Sequence, residues 1–341
     1  MAIARLEEFI NNLKNLDDDK EIKILCNREL DYLRKELNII PVYSENGYPN
    51  GVDGDARRLK TQISQYRSEI KKLATNDRNS TLKIVDGMEV YKHKALKYFN
   101  LEEWEKKDVA RRDRTRVKKD KRNRSSFDAV AVIERSLSLL ESESYVSKVA
   151  GLYLLTGRRH EEILVTGEFD MARFNYDERD TKVEQWLKFS VDSASFKGQV
   201  KRKSNEDKPY NIPLLAQLDI VRHNIFWLRK NKPHQKGQRP KGSKELGLKV
   251  RKEFQESGLL PLPGGKDTYL NPHNLRSAYA AICWQLYRHT EYGRGDVEDE
   301  FIKEIMGHKE DTTESAQSYL DYEINLVETK KLFEYHHGET L

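Results

Sequence analysis

The chain has 341 residues, 34% charged and 37% hydrophobic, with a formal net charge of +5. That length suits two domains, and its long apolar periodic segments exclude wholesale disorder. Two distant cysteines, Cys26 and Cys283, without a CxxC, speak against a zinc site or a disulfide framework, and no run approaches the roughly 18 apolar residues of a membrane span.

The first segment, MAIARLEEFINNLKNL, mixes acidic and basic residues and has no apolar leader core. A protein of a reducing, cytoplasmic compartment is therefore expected, off the membrane. Residues 3–38 read as two helices, with Ile3, Leu6, Phe9, Ile10 and Leu13, then Ile22, Ile24, Leu25, Leu30, Leu33 and Leu37 at helical spacing. The prolines and glycines of PVYSENGYPNGVDGD (41–55) read as a loop. A helix is expected over 55–74, broken by LATNDRNS, and another over 86–99.

Residues 106–124 carry eleven basic and three acidic residues. Such a run is either a solvated helix face or a strap on a nucleic-acid backbone, where each neutralised phosphate releases counterions. On the second reading Arg111, Arg112, Arg114, Lys118 and Lys119 meet phosphates. RSSFDAV (124–130) then offers a serine cap for a new helix.

Beyond it the texture changes. FDAVAVIERSLSLLE and SYVSKVAGLYLLT read as strongly apolar helices. ILVTGEF (163–169), QWLKFSV (185–191) and KPYNIPLL (208–215) read as strands, with a basic turn, SFKGQVKRKSNED, before the last. Helices are expected at 214–231, 243–257, 272–289, 297–307 and 312–333. The fold class is thus mainly α with a small antiparallel β-sheet (α+β), divided near residue 125. The segments are a helical N-terminal domain (1–105), a basic linker helix (106–125) and a second domain with a helical tail (126–341).

The second domain places its charged residues at helix ends and turns. Arg159 follows a buried helix. Lys197, Lys201, Arg202 and Lys203 occupy a hairpin. NPHNLR opens a helix with His273 and Arg276 one turn apart on one face. His308 follows Gly307, and Tyr319 comes eleven residues later. Two arginines, a lysine, two histidines and a tyrosine suit metal-free phosphoryl transfer. Guanidinium forks hold non-bridging oxygens, a cation protonates a leaving alkoxide, and a phenol attacks and holds the intermediate.

At these residues the sequence resembles the tyrosine recombinases. TGRRHEE matches T-G-x-R-x-x-E, HNLR matches H-x-x-R, and GH at 307–308 with Tyr319 completes the order over about residues 126–325. GRR, FKGQVK, a histidine-to-tyrosine gap longer than usual, and a large basic N-terminal part are most similar to the protelomerases, or hairpin telomere resolvases.

The resemblance implies a tyrosine-recombinase catalytic domain behind a helical DNA clamp. It makes Tyr319 the nucleophile forming a 3′-phosphotyrosyl link, and Arg159 and Arg276 the phosphate clamp, with Glu162 orienting an arginine. It makes His308 a hydrogen-bond donor, His273 an aid to proton transfer, and Lys201 the general acid with Lys197 as its rival. Arg158, Lys197, Arg202 and Lys203 are implied on DNA, with a structural role as the alternative for Arg158. No ATP, metal or other cofactor is implied. The implied partner is double-stranded DNA with a palindromic site, engaged by a homodimer, and the protein is implied to be phage or plasmid encoded. The alternatives are an integrase joining two duplexes, a type IB topoisomerase, and a DNA-binding protein that has lost catalysis. Tyr322 and Tyr335 are rival nucleophiles at less suitable spacing. Trp186, Trp227, Trp284 and Tyr287 are expected in the core.

Overall fold

Helix starts in this chain are set by short polar caps. Asp18, Asp55, Asp128, Ser144, Thr181, Asn271 and Asn325 each turn a side-chain oxygen onto backbone N–H groups of the following helix. The computed structural model describes residues 2–85, 88–122, 124–174, 181–200, 208–234, 243–263, 269–307 and 319–338. These form two units, Met1–Arg116 and Val117–Leu341, each with its own apolar core.

In the first unit, α1 (Ala2–Lys14), α2 (Asp19–Glu36) and α3 (Ala56–Ile70) surround the rings of Phe9, Tyr66 and Phe99, whose centroids are 5.1–5.3 Å apart. Glu29 is buried beside them. Its carboxylate accepts two bonds from Arg5, at 3.0 and 2.9 Å, and one from the Tyr66 hydroxyl at 2.8 Å, which offsets the desolvation of the charge.

Two expectations fail here. Residues 41–55 hold a hairpin of β1 (Ile40–Tyr43) and β2 (Pro49–Asp53). Asn46–Gly47, read as a loop signal, is its turn, with Gly47 at a φ of +75°. Residues 86–99 are not one helix. A second antiparallel hairpin, β3 (Ser80–Val85) and β4 (Met88–His93), precedes a single-turn helix α4 (Ala95–Tyr98). The alternation of Leu82 and Ile84 with Thr81 and Lys83 is a period-two signal that the helical reading passed over.

The basic run forms α5 (Glu103–Arg122). Its Asp108 is buried and accepts Arg111 and Arg112, each at 2.6 Å. Arg112 also reaches the Val52 carbonyl at 3.4 Å. Arg112, whose side chain is 33% exposed, is thus held by an ion pair inside this unit, and the Arg111 side chain is 68% exposed. The side chains of Arg114, Lys118 and Lys119 lie outside the described residues.

In the second unit, Ser125–Ser126, expected as a helix cap, forms β5; Asp128 caps α6 (Ala129–Glu141) instead. Helix α7 (Tyr145–Thr156) is buried at every position from Ser147 to Thr156. Around it pack α6, α9 (Leu218–Asn231), α10 (Ser243–Gln255) and α11 (Pro272–Arg288). A three-stranded antiparallel sheet of β6 (Glu168–Met171), β7 (Ser193–Lys197) and β8 (Tyr210–Pro213) lies beside them.

Three further segments differ from expectation. Residues 163–169 begin as a π-helical turn, Glu162–Thr166, before β6. Of the strand expected over 185–191, residues 185–189 belong to helix α8 (Lys182–Phe189), started by a Thr181–Glu184 capping box and burying Val183, Trp186 and Leu187. Of the helix expected over 312–333, residues 312–318 lie outside the described residues, and 319–333 are not one helix. Tyr322–Glu323 forms β9, parallel to β5, and α13 spans Leu326–His337. Helix α12 (Glu298–Ile305) precedes them.

The architecture is mainly helical with small antiparallel sheets, as expected. Trp186, Trp284 and Tyr287 are core residues and Trp227 packs at its edge. Among the described residues no helix is long and apolar enough to cross a membrane.

Candidate active site

Helix α7 ends because Gly157 takes a left-handed φ of +63°. A side chain at that position would collide with the Tyr279 ring. The Gly157 carbonyl, freed from the helix, accepts Nε of Arg276 at 2.7 Å. One tight turn thus presents Arg158 and Arg159 and receives Arg276 from α11.

Arg159 is folded onto Glu162. Its Nη1 lies 2.8 Å from Oε1 and its backbone N–H donates to Oε2, also at 2.8 Å. The Glu162 side chain is fully buried, and Arg159 retains 18% exposure. A third donor, the Val200 N–H, reaches Glu162 Oε1 at 3.3 Å. Burial opposes ionisation of Glu162, but Arg276, Arg158 and Arg159 together hold its carboxyl below the ordinary carboxylate range. The π-turn that carries Glu162 is braced by Arg229, which donates to the carbonyls of Ile163 (2.9 Å) and Gly167 (2.6 Å).

Helix α11 starts at Pro272 behind the Asn271 cap, which accepts the His273 N–H at 2.8 Å. One turn on, Arg276 is 3% exposed. Its Nη2 is buried with no hydrogen-bond partner among the described residues. Burial lowers the Arg276 pKa, yet a guanidinium stays protonated.

Tyr319 completes this face. Its ring centroid lies 4.5 Å from that of His273, and the Arg276 guanidinium carbon lies 5.0 Å from it. The segment is held there by Asp321, whose Oδ2 accepts from Asn274 (3.0 Å) and Ser277 (3.1 Å) of α11. Arg159, Glu162, His273, Arg276 and Tyr319, which span residues 159 to 319, are therefore gathered in one site. Tyr322 is fully buried, with its hydroxyl on the Pro261 carbonyl at 2.8 Å, so it is a core residue.

Arg158 is not on the surface. It is 0% exposed, with Nε on the Thr156 carbonyl (3.1 Å), Nη1 on the Tyr210 hydroxyl (2.6 Å) and Nη2 on the Ile305 carbonyl (2.9 Å). Its expected DNA contact is corrected to the structural alternative, because every arm of the guanidinium is spent inside the fold. Lys197 ends β7 and is exposed. Strand alternation puts it on the face opposite Phe196, against whose ring Arg158 packs at 5.1 Å. Lys201, Arg202, Lys203 and His308 lie outside the described residues.

Sequence reasoning missed Tyr210, Gln199 and Arg229. Tyr210 and Arg229 carry no local signal, since their partners are distant in sequence. Gln199 stands inside the GQVK stretch that singled out Lys201.

Three guanidiniums around one buried carboxylate leave a net positive centre with an unused Nη2 donor. That electrostatic trap suits an anionic phosphodiester.

No curated protein matches the sequence significantly. Among solved structures, selenomethionine protelomerase TelA covalently complexed with substrate DNA is 19% identical over 95% of this chain and 88% of that chain, with a TM-score of 0.68. An arginine-to-alanine TelA mutant complexed with DNA hairpin product is also 19% identical, over 97% and 91%, with a TM-score of 0.69. At this identity the likeness is one of fold. The family model of the telomere resolvase ResT/TelK catalytic domain matches residues 123–322, a stretch holding every member of the gathered site, and the chain belongs to that family of telomere resolvases.

Proposed function

We propose that this chain cuts both strands of a palindromic duplex as a homodimer assembled on DNA and seals each end as a covalently closed hairpin, with Tyr319 as nucleophile. The observation that carries the reading is the Arg276 guanidinium, bound through Nε to Gly157, packed over the Tyr319 ring and with an Nη2 that has no partner among the described residues. A phosphate beside that ring would take the free donor.

In the proposed reaction the Tyr319 oxygen attacks phosphorus as its phenolic proton passes to His273, the bond to the 5′-oxygen breaks, and Lys201 gives that oxygen a proton. Arg159 and Arg276 hold the non-bridging oxygens as charge grows on them, with His308 as a further donor and His273 assisting proton transfer. The 5′-hydroxyl of the opposite strand then attacks the phosphorus and returns a proton to Lys201, the bond to Tyr319 breaks, and Tyr319 leaves with the proton held by His273. The phosphodiester energy stays in the tyrosyl link throughout, so the exchange consumes no nucleotide.

The test is one linear duplex carrying a candidate palindrome, incubated with the protein and run on a denaturing gel. Two shorter products that snap back and resist exonuclease at one end are expected. Joined products formed only when a second duplex is added would replace this reading with integration.

The basic run of α5 is proposed to track the DNA backbone. Replacing Arg114, Lys118 and Lys119 by Gln is expected to weaken binding alike on target and random DNA. The slope of log affinity against log salt should flatten by about 0.9 per lost phosphate contact. An unchanged slope in a filter-binding titration would make the run a solvated helix face.

A further inference from the structure

We propose that Gln199 is a positioning residue for cleavage, setting the lysine-bearing hairpin in register with the turn that leads to His308. The proposal rests on the cleavage reading above and assigns Gln199 no contact with DNA or reacting atoms.

The hairpin leaves β7 through Gly198, at a φ of +94°. A side chain there would run into the Thr166 carbonyl, and the Thr166 hydroxyl donates to the Gly198 carbonyl at 2.5 Å. Two residues later the Val200 N–H meets Glu162. Between these anchors the Gln199 side chain turns to the end of α12, and its Nε2 donates to the Met306 carbonyl at 2.9 Å. The carbonyl partner sets the amide's orientation, because only the nitrogen end can donate.

The far side of this contact is rigid. Arg158 grips the neighbouring Ile305 carbonyl from within the core. Gly307 has a φ of +67° and no room for a side chain: a Cβ would stand 2.7 Å from Gln199 Oε1 and would also strike the Tyr210 hydroxyl. Gln199 Oε1 is itself buried and finds no hydrogen-bond partner among the described residues. A buried amide that leaves its oxygen unsatisfied is an odd choice for mere filling, since methionine would fill the same space. Its donor bond to Met306 is the feature that distinguishes it.

Lys201 and His308 lie two residues beyond Gln199 and Met306. Chain geometry keeps each within about 7 Å of its anchor, Cα to Cα. A general acid must come within about 3 Å of the leaving oxygen, and a displacement of about 1 Å costs about 100-fold in rate. A bond that registers the two segments is therefore felt in proton delivery.

The experiment compares wild type with Gln199→Met, which keeps volume but not the amide, and Gln199→Glu, whose carboxylate cannot donate to Met306. Each is given the palindromic duplex in two forms, ordinary and with sulfur replacing the scissile 5′-bridging oxygen. A thiolate leaves without being protonated, because thiols ionise near pH 8.5 against about 16 for an alcohol or water. On the ordinary duplex, single-turnover cleavage by either variant is expected to fall about 100-fold. On the sulfur duplex it should fall less than about threefold, with DNA affinity and melting temperature near wild type. Equal loss on both substrates would overturn the proposal, since Gln199 would then act on the phosphate clamp or on folding. No loss on either would also overturn it. Wild-type protein that attaches to neither duplex would instead sink the cleavage reading, and this proposal with it.

Discussion

Replacing Tyr319 by phenylalanine is expected to abolish covalent attachment to DNA, by at least about 10,000-fold in cleavage rate, while leaving binding and folding nearly intact. The ring is what the structure holds. Tyr319 is 2% exposed, packed between the His273 ring and the Arg276 guanidinium, and phenylalanine preserves that packing. Loss of the hydroxyl costs at most one hydrogen bond, worth about 1 kcal/mol. The rivals are poorly placed. Tyr322 is spent on the Pro261 carbonyl in the core, and Tyr335 sits on α13, outside the gathered site. Denaturing electrophoresis of protein with labelled duplex decides the matter. A persistent adduct in the mutant would move the nucleophile to another tyrosine.

The second large effect belongs to Glu162. Glu162→Gln keeps the shape but removes the charge that three arginines surround. Breaking a buried ion pair costs about 3–5 kcal/mol, and Arg159 loses the partner that aims it, so cleavage should fall about 100-fold. The pH dependence follows from the depressed carboxyl. Its folded-state pKa lies below the ordinary value of about 4.3. Its contribution to stability is therefore complete above that value and is lost as pH falls through the folded pKa. The stability gap between wild type and Glu162→Gln should be widest near pH 7 and should narrow on acidification below about pH 4. Urea unfolding at several pH values measures it. A gap independent of pH would mean that Glu162 is not ionised in the fold.

Much of the site was readable from local rules. The Thr-Gly turn after an apolar helix, the Asn-Pro start of α11 and the i, i+3 pairing of His273 with Arg276 need only nearby residues. Local rules also misled. LKFSV (187–191) alternates like a strand, yet Thr181 and Glu184 had already capped its first residues into a helix. Leu82 and Ile84 alternate as a strand should, yet they lie between the helices expected over 55–74 and 86–99, where no strand was read. Asn46–Gly47 was seen as a break when it was the turn of a hairpin.

By itself the sequence determined the helix caps, the mainly helical class and the order of Arg159, Glu162, His273, Arg276 and Tyr319 along the chain. Only the tertiary structure decided what the two adjacent arginines do. Both leave the same left-handed turn, and no local preference separates them. Arg158 is drawn inward by Tyr210, 52 residues away, and by the Ile305 carbonyl, 147 residues away. Arg159 is left to Glu162 and keeps partial exposure. Gln199, Arg229 and the unused Nη2 of Arg276 are likewise defined by what surrounds them after folding. A buried polar group takes its role from partners brought close in space, and those distances do not exist until the chain has folded.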